Sequence, residues 1–258
     1  MIKFFRKIRQ KLLTENKFSK YLIYVIGEII LVVIGILIAL QINNVNESKK
    51  LEKIELGYLN RLLIDLKKDQ DLWTSTIKQK KEQLNAIRKI EDIAYFNQDS
   101  IFLILDQVPS ALVWNDFNSH QTTFNEMLSG GNLNLIKNDS IKIKLLELDD
   151  AYNLETNRVT TFKIEHTNTM EAFRSNVSFK NVALLMGNAE VLKPKEIEVI
   201  NYEIRKDLKS MANDKKFINN LIGLGYNYNN QLKTINHLKI QTEQLIELIQ
   251  TEINNRIE

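Results

Sequence analysis

The chain of 258 residues has no cysteine, two prolines and eight glycines. Without cysteine there is no disulfide framework, no thiol nucleophile and no Cys-ligated zinc. So little glycine and proline excludes a collagen, a turn-rich sandwich or barrel and a Pro/Gly-rich disordered chain. A hydrophobic share of 44 % argues against disorder as well. Chemistry-bearing motifs are equally scarce. Neither HExxH nor the ExxH of a di-iron bundle occurs, and no serine nucleophile elbow is present. Ser129-Gly130-Gly131-Asn132 lacks the Lys and Ser/Thr of a phosphate loop and reads as a helix stop. Glu147, Asp149 and Asp150 follow no calcium-loop spacing, and the three histidines are too scattered to form a ligand set by local spacing. His166 falls on the apolar rhythm of its helix, as expected of a hydrogen-bonded core histidine. No metal, no cofactor and no enzymatic activity are expected.

What is present is an uneven charge. Seven of the 35 basic and two of the 32 acidic side chains lie in residues 1–41, a net of +5; the other 28 and 30 leave residues 42–258 at −2. The overall +3 therefore belongs to the first segment. The remainder has no basic stripe to follow a phosphate backbone, so nucleic acid is not an expected partner.

Between Leu22 and Leu40 the single charged residue is Glu28. At about 1.5 Å per residue, a helix over 21–42 spans a hydrocarbon core of roughly 30 Å. The run is longer than a signal-peptide core and is followed by no A-x-A cleavage pattern, so it reads as an uncleaved transmembrane helix. Seven Lys/Arg precede it, against Lys49, Lys50, Lys53 and Arg61 in residues 42–61. The positive-inside bias then places the N-terminus in the cytoplasm and residues 43–258 across the bacterial inner membrane, in the periplasm. In residues 1–20, Phe4, Phe5, Ile8, Leu12 and Leu13 share one helical side, with Lys3, Arg6, Lys7, Arg9 and Lys11 around the rest. This arm suits the anionic inner leaflet of the lipid bilayer. Glu28 lies about 10 Å into the span, where an ionisable group is costly. Helical spacing sets it in a stripe with Val32, Gly35 and Ala39, a small-xxx-small face suited to a second helix.

FFRKIRQKLL (4–13) and KYLIYVIGEIILVVIGILIALQINN (20–44) resemble the opening of an uncharacterised family of single-pass membrane proteins of flavobacteria and other Bacteroidetes, catalogued as a domain of unknown function. SGGNLNLIKN (129–138) is similar to that family's small turn followed by a helix. Val45 stands where many members carry Trp just past the span. The resemblance implies a location and an architecture, and no reaction.

Beyond the span the pattern is all-α. Leu51, Ile54, Tyr58, Leu62, Leu66, Trp73, Ile77, Leu84, Ile87 and Ala94 recur at three and four, predicting a long helix over 46–94 with no breaker separating it from the span. A second helix is expected from Asn138 or Asp139 to about Val177, a third opening at Pro194, and a last one capped by Asn213. Together they predict an extramembrane antiparallel bundle of long helices. Segment 95–137 is less regular, with one short helix after Asp99 stopped near Pro109 and another from Ser119 to Leu128. Within it Trp114, Phe117, His120 and Phe124 form either a small binding patch or a satellite core. Two functions are compatible with these features. The first is a membrane-anchored interaction or scaffold protein, forming a homo-oligomer or docking a membrane-protein partner. The second is an energy-coupled or signal-transmitting component that uses Glu28.

Overall fold

In a computed structural model, residues 18–187 and 192–256 are described, and seven α-helices with no strand are found among them. The basic arm, including Lys3, Arg6, Lys7, Arg9 and Lys11, lies outside the described residues. The chain divides into two compact units, Met1–Gly57 and Tyr58–Glu258. Helix α1 covers Phe18–Phe96.

In the first unit the helix exposes its apolar side chains on every side: Ile23, Leu31, Val32, Ile34, Leu37 and Ile38 are all about half exposed or more. A soluble core helix would bury such a run. It is long and apolar enough to cross a membrane, with none of its most apolar stretch buried.

The second unit is a bundle. After α1 come a 3-10 turn (Gln98–Ser100), α2 (Leu103–Ala111), α3 (Thr122–Ser129), a second 3-10 turn (Asn132–Leu135), α4 (Asp139–Asn176), α5 (Phe179–Gly187), α6 (Pro194–Ala212) and α7 (Lys215–Asn254). The pairing of side chains fixes the directions. Gln70 meets Glu243, Trp73 meets Thr242 and Lys80 meets Tyr228, so α7 runs opposite to α1. Asn138 meets Glu252, Arg158 meets Thr234 and Asn220 meets Asn168, so α7 also runs opposite to α4. Helices α1 and α4 are consequently parallel, which requires the chain to travel back between them. Segment 97–138 makes that return.

Local chemistry explains the boundaries. Asn138 caps α4, its Oδ1 accepting from the Ser140 and Ile141 amides, and Pro194 occupies the first turn of α6. The N-cap of α7 is Asp214, accepting from the Lys216 amide, rather than the expected Asn213. Asn213 instead turns its side-chain amide back to the Lys209 carbonyl, closing α6. Helix α2 runs two residues past Pro109, since a proline in the final turn forfeits only one hydrogen bond. Helix α3 stops where Gly131 takes φ +68°, the left-handed region that glycine enters without cost. The periodicity did not predict α5.

At one end of the bundle Ile87, Ile90, Ile101, Ile104, Phe173, Ile204, Leu208, Met211, Phe217 and Leu221 form a continuous apolar core. The middle is different. There the seam between α1, the return segment and α4 carries buried polar side chains among its apolar ones.

Candidate functional site: a polar seam and an open cavity

The return segment lies along α1 through a ladder of side-chain bonds in strict reverse order. Gln83 donates to the Val113 carbonyl at 2.6 Å, and Asn115 to Gln79 Oε1 at 2.6 Å. Phe117 stacks on Trp73, ring centroids 5.2 Å apart and planes 11° from parallel. One turn along α1, Asp69 Oδ1 accepts the His120 amide (2.7 Å) and lies 2.9 Å from His120 Nδ1, while Oδ2 accepts the Tyr152 hydroxyl (2.8 Å). A turn nearer the N-terminus, Asp65 accepts both the amide and the hydroxyl of Thr123, capping α3 from a neighbouring helix. The ladder ends with Arg61 forked on Glu126 at 2.7 and 2.9 Å and Asn132 donating to the Tyr58 hydroxyl. This external cap explains why α3 starts at Thr122 and not at Ser119, whose hydroxyl is bonded to Gln121 Oε1.

Asp69 is 1 % exposed. A buried carboxylate persists only when its oxygens are hydrogen-bonded, and three donors meet that need here. Burial and the Asp69 carboxylate together push the Tyr152 phenol well above its ordinary range, so it stays a hydrogen-bond donor.

The four residues of the expected aromatic patch are spread along this ladder rather than gathered. Trp114 packs against His166 at 5.1 Å between centroids and donates to Asp116. Phe117 is on Trp73, the exposed His120 ring is on Asp69, and Phe124 is buried beside Leu62, Leu66 and Leu148. His166 is a buried core histidine, its Nε2 2.7 Å from the Leu112 carbonyl. In the first unit, Glu28 and Val32 border a shallow hollow with Val25, Ile29 and Val33, and a methyl placed on Gly35 would meet nothing within 4 Å. Among the described residues no cluster of His and carboxylates is arranged to hold a metal.

Beside the Trp73–Phe117 stack is a cavity of about 320 Å³, walled by α1, the return segment, α4 and α7. Leu72, Trp73, Phe117, Val159 and Ile235 supply apolar surface; Lys80, Asp116, Glu155 and Gln231 supply polar groups. Lys80 is 5 %, Glu155 1 % and Gln231 3 % exposed. Among the described residues, no donor bonds to either oxygen of Glu155 or to the Oε1 of Gln231. Arg158 approaches Glu155 only to 3.9 Å, beyond hydrogen-bond reach. Lys80 Nζ sits 4.3 Å above the centre of the Tyr228 ring. Burial outweighs the attraction of Arg158 and Lys80 and raises the Glu155 carboxyl to about 7. Burial likewise lowers the Lys80 ammonium to about 8, against the opposing pull of Glu155.

Sequence reading passed over these three residues, although a signal was there. Lys80 stands seven residues from both Trp73 and Ile87, Glu155 seven from Leu148 and Phe162, and Gln231 seven from Leu224 and Leu238. Each interrupts an apolar heptad stripe on its own helix, and folding brings the three interruptions together at one cavity.

No curated protein and no solved structure matches the chain. Residues 28–153 match the model of a family of unknown function, DUF6090, a stretch that contains Glu28, Asp69, Lys80, His120 and Tyr152 and ends just before Glu155.

Proposed function

We propose that the protein is a single-pass, membrane-anchored helical interaction protein, with its N-terminus in the cytoplasm and its bundle in the periplasm of a bacterial inner membrane. The observation that carries this reading is the contrast within α1. Leu22, Ile23 and the apolar side chains from Ile26 to Leu40 are exposed, whereas Leu59, Leu62, Leu66 and Trp73 of the same helix are buried. The uncovered part matches a hydrocarbon solvent, and the other is the wall of a folded domain. In this reading the Glu28, Val32, Gly35 and Ala39 stripe meets a second transmembrane helix, from another copy or from a membrane-protein partner. The basic arm on the inner leaflet sets the orientation.

A chain without cysteine is well suited to testing topology. Thr14→Cys and Ser210→Cys variants, treated in intact spheroplasts with a membrane-impermeant maleimide, are expected to label at Ser210→Cys alone. Labelling at Thr14→Cys alone, or recovery of the chain in the soluble fraction, overturns the reading. Cross-linking through Gly35→Cys then reports association within the membrane. The second reading, an energy-coupled or signal-transmitting component, is favoured by the carboxyl of Glu28 inside the apolar run. Glu28→Gln separates the two: assembly of a scaffold survives it, and a proton-coupled function stops.

A further inference from the structure

We infer that the cavity between Trp73 and Glu155 is a binding site for a small zwitterion of the amino-acid class with an apolar side chain: its ammonium group held by Glu155 and Gln231, its carboxylate by Lys80, its side chain against Trp73, Phe117 and Val159. This goes beyond the anchoring role and does not depend on it.

Polar residues at heptad core positions ordinarily fix register by bonding to one another. Glu155 and Gln231 do not serve that purpose, because their three acceptor oxygens are buried and accept no hydrogen bond from the described residues. Buried acceptors without donors are costly, so their retention points to a donor brought from outside. A primary ammonium carries three N–H donors and a positive charge, which answers three acceptors of which two share a negative charge. A bare amine adds a second cation beside the buried Lys80. A ligand carboxylate removes that conflict, and the walls of Leu72, Trp73, Phe117, Val159 and Ile235 demand an apolar body between the ends. The cavity volume of about 320 Å³ is at the small end of the range for ligand pockets.

Binding would ionise both partners and so move protons. The charged and titratable groups around the cavity are Lys80 from α1, Asp116 from the return segment, Glu155 and Arg158 from α4 and Tyr228 from α7. With Glu155 near 7 and Lys80 near 8, binding at pH 6.5 releases protons from Glu155, and binding at pH 8.5 takes protons up at Lys80.

The test is calorimetric titration of the full chain in detergent micelles with L-leucine and L-phenylalanine, each in two buffers of different ionisation enthalpy. Saturable binding with net proton release at pH 6.5 and net uptake at pH 8.5 is the expected result. 2-Phenylethylamine and 3-phenylpropionate, each lacking one charge, are expected to bind at least tenfold more weakly than phenylalanine. Glu155→Gln and Lys80→Met are each expected to weaken binding at least tenfold and to abolish the release and the uptake respectively. The absence of saturable binding by the wild-type chain overturns the proposal, as does equal binding of the amine or the acid alone. A folded Glu155→Gln protein with unchanged affinity also overturns it. None of these outcomes bears on whether α1 crosses a membrane.

Discussion

Asp69→Ala is the substitution that most directly probes how the return segment is held. It removes an acceptor from the His120 amide, the His120 ring and the Tyr152 hydroxyl at once. Hydrogen bonds to a charged group contribute about 1.5–3 kcal/mol each, but the His120 ring is exposed and regains a water. The Tyr152 hydroxyl is buried and does not, which costs about 1–3 kcal/mol, while losing a buried carboxylate relieves part of its desolvation. The net is a destabilisation of about 3 kcal/mol, or roughly 6–12 °C in melting temperature for a unit of this size. Circular dichroism melts of the full chain in detergent read the global effect, and hydrogen exchange reads the local one as faster exchange across residues 113–124. Tyr152→Phe alone is expected to cost about 1–2 kcal/mol, and the double variant less than the sum of the two, because they share a bond. A loss below about 1 kcal/mol for Asp69→Ala, or strict additivity with Tyr152→Phe, refutes the claim that this carboxylate pins the segment.

Three further outcomes follow from the same geometry. Glu155 is raised in the folded state, so the native protein holds the extra proton and stability falls as pH rises from about 4.5 to 7, by about 1–2 kcal/mol after allowance for screening. Lys80 is lowered, so the unfolded chain holds the extra proton between about 8 and 10.5 and stability recovers there; urea midpoints across pH should show a minimum between 7 and 8, which Glu155→Gln flattens on its acid side. Gly131→Ala places a Cβ at φ +68° and should cost about 1–2 kcal/mol in the same urea titrations, all of it local backbone strain because no atom of the described residues beyond its chain neighbours lies within 4 Å. Phe117→Ala removes the partner stacked on Trp73, so the tryptophan fluorescence should shift to the red and the unit should lose about 2–4 kcal/mol by denaturant titration.

Much of this architecture was legible without coordinates. Apolar spacing of three and four along 58–94, 141–173 and 217–253 located the long helices, because a helix buries one face and the face recurs every 3.6 residues. Asn138, Pro194 and Gly131 marked ends through chemistry that acts within one turn. Asn213 misled by one position, since Asp214 next to it is an equally good cap and the Lys209 carbonyl claimed the asparagine. The external cap of α3 was invisible for a different reason: Asp65 is 58 residues from Thr123, and no local pattern links them.

The sequence by itself determined that this is a helical chain, that residues 22–40 form an apolar helical stretch without a soluble partner face, and that positive charge is concentrated before it. Those are properties of composition and short-range period, summed over neighbours on one strand of chain. Only the tertiary structure decided that α1 and α4 run parallel, that segment 97–138 returns between them on a ladder of carboxylates and amides, and that three polar interruptions of separate heptad stripes meet at one cavity. Lys80, Glu155 and Gln231 lie 75 and 76 residues apart in turn. Each looks like an isolated flaw in its own helix, and the chemistry they can share arises only from the packing that brings the helices together.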